Sequence, residues 1–555
     1  MIDNLAKLRA SMKRYIKSFN YSGLLGAVTL FCLSLLPSIL PRPWLMQGVI
    51  SGVSLAIGYG LGILVSMAIR WFSQAELSAR FKHYAWRFTY VFPVLMLAFV
   101  ILGHVWQNEV RKLVGQESAH SLNVIQILIL SWLVFHAILG VSRAIRTLSH
   151  KLSVLFERWL PKRIGHLIGI LLTVLLIVWG FNGFLFKSFV NISNTIYAKS
   201  NDATSKGITQ PKNPLRSGSP DSLASWSSLG SRGRDFVARG PSQQQLEAFS
   251  GVKPLEPIRI YVGVKSADTA RARAQLAVKE LKRTGAFNRE VLVIATATGS
   301  GWLEPQAVDS IEYMHNGNSA IVSQQYSYLP SWISFLVDSE NAQNAGRELY
   351  DAVYTEWSKL PSDSRPKLIA YGLSLGSFGA QSAFSSAQDV RRSVDGALFI
   401  GTPSTTELWR SITDARNAGS PQILPIYDQG KTVRFASNIK NLRANADGWQ
   451  SPRVLYVQHA SDPVMWWNYD LILHKPDWLR EQRGPDISIR TRWIPFVTFF
   501  QVTVDQFYGV SVPNGHGHNY ANTIVDSWAA VAPAPNWTEA KSDKLQGIID
   551  RYTNE

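Results

Sequence analysis

The stretch PKLIAYGLSLGSFGAQSAF, residues 366–384, decides the fold. An apolar run, Leu368–Tyr371, leads into G-x-S-x-G at Gly372–Gly376 and then into small residues suited to a helix. The five-residue pattern alone is weak. Its setting strengthens it, because a strand that turns sharply into a helix projects a serine hydroxyl clear of a sheet. The two glycines let that turn tighten and let the helix approach the strand. Ser374 is therefore the candidate nucleophile.

A serine hydroxyl is a poor nucleophile unless a base takes its proton. On a strand–elbow–helix scaffold the partners follow in the order serine, acid, histidine. The acid is Asp462, in the turn His459-Ala460-Ser461-Asp462-Pro463 after the strand-like RVLYVQ, residues 453–458. The histidine lies in NGHGHNY, residues 514–520, just before an apolar helical stretch. His518 is nearest the helix start and is the first choice; His516 is the alternative. An H-x-H pair with no further ligand cluster is weak zinc evidence, so neither a metal nor a cofactor is expected. Charge developing on a substrate oxygen needs backbone donors. The amide of Leu375 is one. The second is expected from Gly299 or Ser300, in TGSGW (residues 298–302) after the apolar run EVLVIATA (290–297).

Strand-like and helical runs alternate around this constellation. Strands are expected over 257–263, 290–297, 319–324, 366–372, 394–401 and 453–458. Helices are expected over 268–283, with Asp268 as N-cap, and over 342–359, 376–387 and 521–531. Such alternation implies a mostly parallel sheet covered on both faces, here spanning 251–555. Residues 191–250, rich in Ser, Gly, Asn and Asp, are expected to form a linker. Trp466, Trp467, Trp478, Trp493, Phe499 and Phe500 suit core packing or an acyl pocket.

The N-terminal third has another composition. Of 555 residues, 46% are hydrophobic and 17% charged, against roughly 25% charged in ordinary soluble chains. Five apolar runs without acidic residues, at about 21–40, 45–69, 87–106, 123–141 and 164–186, approach the ~20 residues that span hydrocarbon. A bundle of about five transmembrane helices is expected within 1–190. Gly48, Gly52, Gly58, Gly60 and Gly62 suit close helix packing. The net charge of +17 belongs almost wholly to this part, where 19 Lys and Arg face 5 Asp and Glu. Those bases cluster in the N-terminal tail and in alternate connections. Positive loops stay cytoplasmic, so the N-terminus is expected inside and the C-terminal domain outside the inner membrane. The tail around Leu5, Leu8, Met12, Tyr15 and Phe19 fits either an interfacial helix or a plain topogenic segment. Nucleic acid is excluded as a partner by this distribution. The single cysteine, Cys32, excludes a disulfide scaffold.

The chain resembles a bacterial family of membrane-anchored α/β-hydrolases that joins a multi-span N-terminal domain to a C-terminal serine hydrolase domain. The resemblance is carried by SLLPSILPRP (34–43), GYGLG (58–62), TGSGW (298–302), GLSLGS (372–377) and GHGH (515–518). It implies an α/β-hydrolase fold, an ester-hydrolase type of triad and a membrane location, but no particular substrate. The expected function is hydrolysis of acyl esters, with membrane lipid as the partner. An acyltransferase using the same triad with a lipid or sugar acceptor is the alternative.

Overall fold

The computed structural model describes residues 19–73, 89–180, 186–444 and 448–553. The basic tail and most of the second connection, with Arg80 and Lys82, lie outside them, as do the first residues of the third apolar run and residues 181–185 of the fifth. The chain divides into two compact units. One holds the N-terminal part to Leu185 together with Tyr469–Arg480 and Pro485–Gly509; the other holds Phe186–Asn468, Glu481–Gly484 and Val510 onward.

The first unit contains α1 (Tyr21–Ser34), α2 (Trp44–Ser73), α3 (Phe92–Leu113), α4 (Asn123–Phe156) and α5 (Lys162–Val178). Among the described residues, three helices are long and apolar enough to cross a membrane: Trp44–Phe72, Phe92–Leu113 and Asn123–Phe156. The expectation of about five spans is therefore not confirmed. The first run does not continue as one helix to Leu40. α1 has 14 residues, about 21 Å at 1.5 Å per residue, short of a ~30 Å hydrocarbon core. Pro37, Pro41 and Pro43 end it, because proline has no N–H to give and disfavours helix in the residue before it. Asn20 caps its start, accepting from the amides of Ser22 and Gly23 at 3.0 and 3.3 Å.

The glycines of α2 divide by face. A Cβ on Gly58 would lie 2.2 Å from the Gly26 carbonyl oxygen, and one on Gly62 would lie 2.1 Å from that of Ser22, so α1 and α2 touch backbone to backbone. Gly48 and Gly52 face Leu130 and Val134 of α4, while nothing lies near Gly60.

The second unit is built on seven parallel strands: β1 (Ile258–Val262), β2 (Val291–Thr296), β3 (Ser319–Gln324), β4 (Lys367–Leu373), β5 (Gly396–Ile400), β6 (Val433–Ala436) and β7 (Arg453–Val457). Their order across the sheet is β1-β3-β2-β4-β5-β7-β6. β2 is buried along its whole length, as a strand covered on both faces must be. Strand β6 is an addition to the sequence expectation. Thr269, not Asp268, caps the helix Ala270–Arg283. The expected last helix is Ile524–Val531, and Glu539–Ile549 follows it. Trp466, Trp467 and Trp478 are buried.

The segment 191–250 is not a loose linker. Helices Phe186–Asp202, Gly230–Ala238 and Gln243–Ser250 run through it. Between them the Ser217 amide donates to the Arg259 carbonyl at 3.0 Å, and the Arg259 amide to the Leu215 carbonyl at 3.3 Å, which covers the β1 edge of the sheet. Glu280 accepts from the Leu223 amide at 2.7 Å and the Ser222 hydroxyl at 2.9 Å. The polar residues that suggested flexibility serve as hydrogen-bond partners.

Candidate active site

Ser374 joins β4 to the helix α6, Leu375–Gln381, with φ 57° and ψ −126°. A side chain held at such angles costs on the order of 1–3 kcal/mol and persists only where its surroundings enforce it. Here the Ser374 amide donates to the Ile400 carbonyl on β5 at 2.8 Å. A Cβ on Gly372 would lie 2.5 Å from the Gly376 carbonyl oxygen, and one on Gly376 would lie 2.3 Å from that of Thr296. Only glycine fits at either position. Beneath the turn, Gln381 Nε2 donates to the Ser377 and Thr402 hydroxyls at 3.0 and 3.1 Å, and the Tyr456 hydroxyl donates to Gln381 Oε1 at 2.9 Å.

Asp462 follows β7 and is fully buried. Its Oδ1 accepts from the amides of Val464 and Met465 at 2.9 and 3.3 Å. Its Oδ2 accepts from the Tyr520 hydroxyl at 2.6 Å and lies 2.6 Å from Nδ1 of His518. An imidazole that gives its Nδ1 proton to a carboxylate presents Nε2 as the proton acceptor. Nε2 of His518 is buried and carries no hydrogen bond. The ring lies on Gly401, whose added Cβ would come 2.7 Å from His518 Cε1; Gly401 follows the residue that holds the Ser374 amide.

The histidine loop is fixed from beneath. The Gly517 amide donates to Ser461 Oγ at 2.8 Å, His459 Nδ1 meets the Gly517 carbonyl at 3.0 Å, and the His459 ring stacks on Tyr520 at 4.1 Å. His516 closes the turn through its backbone, donating to the Pro513 carbonyl at 3.2 Å and accepting from Asn519 at 3.1 Å. The fold thus brings His518 to Asp462. Sequence reasoning missed Tyr520 and His459. Tyr520 stood in the quoted NGHGHNY stretch, but nothing in its spacing marks a second donor to the acid.

Leu375 opens α6 directly after Ser374. Gly299 and Ser300 lie in a turn closed by the Thr298 amide on the Trp302 carbonyl at 2.9 Å. That turn leaves β2 beside the elbow, since Gly376 abuts the carbonyls of Thr296 and Ala297. Gly299 has φ +29°, and an added Cβ would meet the Ser331 amide at 2.5 Å, so the backbones approach closely there. The Ser300 carbonyl is held by Gln325 Nε2 at 2.8 Å.

A family model described as the alpha/beta-hydrolase family matches residues 258–545, more than half of the chain. The chain belongs to this alpha/beta-hydrolase family. A second model, described as the alpha/beta-hydrolase family N-terminus, matches residues 35–241. No curated protein and no solved structure matches it.

In this hydrolase one half-buried acid, Glu304, lies in the stretch after β2 and is expected to respond to pH. Burial pushes the Glu304 carboxyl up to about 7, opposed by the Gln306 amide and reinforced by the charge of Asp309. A carboxyl whose pKa is raised by folding favours the folded state below its free pKa of about 4.3 and loses that contribution as pH rises through 7. Glu304→Gln is expected to melt a few degrees above the parent at pH 8 and level with it at pH 5, read by thermal unfolding at both pH values. A parent whose melting temperature does not fall between pH 5 and 8 contradicts the raised carboxyl.

Proposed function

We propose that the chain is a membrane-anchored serine hydrolase that cleaves acyl esters, with lipids of the bacterial envelope as its substrate class. One observation carries the reading: His518 Nδ1 is held 2.6 Å from a fully buried Asp462 and Nε2 is left without a partner, on a ring packed against Gly401, whose neighbour Ile400 accepts from the amide of the strained Ser374. Ser374 Oγ attacks the ester carbonyl as His518 Nε2 takes its proton. Asp462 keeps the imidazole in one tautomer and stabilises the imidazolium that forms. The oxyanion is held by the Leu375 amide and by an amide of Gly299 or Ser300. The alkoxide leaves with the proton from His518, and a water activated by the same nitrogen releases the acid from the acyl-enzyme. The three apolar helices and the inward bias of the basic loops support an inner-membrane anchor with the hydrolase domain outside.

The test is labelling of the purified full-length protein by a fluorophosphonate probe, together with turnover of short acyl esters. The expected results are a single modified peptide containing Ser374 and release of free acid. Failure of the folded protein to label would overturn the proposal. Formation of acylated product at the expense of free acid, when an alcohol or sugar is added, would move the assignment to an acyltransferase.

A further inference from the structure

The motif SLLPSILPRP, residues 34–43, plays no part in the chemistry above. After α1 ends at Ser34, its prolines leave backbone carbonyls and amides without helical partners. Side chains from residues 485–509, which belong to the same compact unit, satisfy several of them, as Gln47 and Gln107 of the neighbouring helices do. Gln501 Nε2 donates to the carbonyls of Ser34 and Leu36, both at 3.0 Å, and the Thr491 hydroxyl donates to the Ser38 carbonyl at 3.2 Å. Asp505 Oδ2 accepts from the Leu40 amide at 3.4 Å. Arg42 Nη2 donates to the Leu36 carbonyl at 3.0 Å, and its Nε lies 3.7 Å from Asp505 Oδ1. Both charged side chains are completely buried. Arg42 Nε and Nη1 and Asp505 Oδ1 form no hydrogen bond. A buried ion pair of this quality does not repay its desolvation, and well-packed apolar residues would hold the two segments together better. Such a pair selects one docking position over its neighbours.

The place of the segment in the chain gives that selection a use. It begins seven residues after Asp462 and ends nine residues before His518. The acid and the histidine are therefore carried on the two strands of chain that enter and leave it. We propose that residues 469–509 dock on the 34–43 motif as a latch, with Arg42 and Asp505 as positioning residues for the Asp462–His518 pair. The hydrolase site then depends on the membrane domain for its working geometry. This inference rests on the triad reading above.

The experiment uses the full chain in lipid nanodiscs, with Arg42→Met, Asp505→Asn and the double variant Arg42→Met/Asp505→Leu. Each is measured for the rate of fluorophosphonate labelling, for kcat and KM on a short ester, and for hydrogen exchange of 485–509. Each single variant leaves one buried charge without its partner. Each is expected to raise exchange in 485–509 and to lower the labelling rate and kcat about tenfold, with KM little changed. The double variant leaves no buried charge and is expected to recover most of both, a non-additivity that marks Arg42 and Asp505 as one coupled pair. If the singles fail to fold, a double variant that labels and exchanges like the parent still supports the latch, and one as impaired as the singles overturns it. Raised exchange with an unchanged labelling rate overturns the positioning role alone. A wild type that does not label at Ser374 removes the triad reading and this inference with it.

Discussion

Ser374→Ala is expected to lower kcat/KM for a short acyl ester by at least about a thousandfold and to abolish fluorophosphonate labelling. The size of the loss follows from the chemistry: without the hydroxyl no acyl-enzyme forms, and only binding and oxyanion stabilisation remain. The fold should survive, because the Ser374 amide bond to Ile400 belongs to the backbone and alanine keeps the Cβ. A second variant tests the strain. Ser374 sits at φ 57°, ψ −126°, where glycine is far less restricted. Ser374→Gly should therefore be as inactive as Ser374→Ala but more stable than it by about 1–3 kcal/mol in denaturant titration. Full activity in either variant would remove Ser374 as the nucleophile. Equal stability of the two would remove the strain argument and leave the nucleophile standing.

The second large effect separates the two histidines. His518→Ala removes the base and should cost kcat about as much as Ser374→Ala, because members of one proton-relay unit fail together. His516→Ala should stay within about threefold of the parent, since in the structure its backbone closes the loop while His518 meets the acid. Asp462→Asn keeps the shape but offers an amide to His518 Nδ1, which disturbs the tautomer, and should cost about 10⁴ in kcat. Tyr520→Phe removes one of two 2.6 Å partners of Asp462 Oδ2. It should lower kcat about ten- to a hundredfold, the worth of one hydrogen bond to a charged carboxylate at about 1.5–3 kcal/mol. Steady-state kinetics of the four variants rank these roles. A His516→Ala variant weaker than His518→Ala would reverse the assignment.

Much of the site was legible because its parts are local. The elbow needs glycine on both sides of Ser374 within five residues, and the apolar run before it needs a covered strand. Six of the seven strands stood out as β-rich or continuously apolar runs. The four-residue strand β6 was not legible, since Val433–Ala436 carries Arg434 and no alternation to read. The stretch 191–250 was misread for a different reason. Serine and glycine mark flexible chain by composition, yet the same hydroxyls and amides bond the β1 edge and Glu280 once those groups are near. In the first apolar run, hydropathy counted 20 residues while Pro37 ended the helix after Ser34.

By itself, then, the sequence determined the parallel α/β core, the sharp strand-to-helix turn at Ser374, the chain order of the proposed acid and histidine, and the apolar character of the N-terminal third. These follow from periodicity, proline and glycine stereochemistry, and charge, all of which act over a few residues. Only the tertiary structure brought His518 rather than His516 to Asp462, gave Asp462 its second donor in Tyr520, and placed 469–480 and 485–509 with the apolar N-terminal helices rather than with the sheet. Those outcomes depend on pairs such as Asp462 with Tyr520 and Arg42 with Asp505, which lie far apart in the chain. Their contact is set by packing, and no local pattern records it.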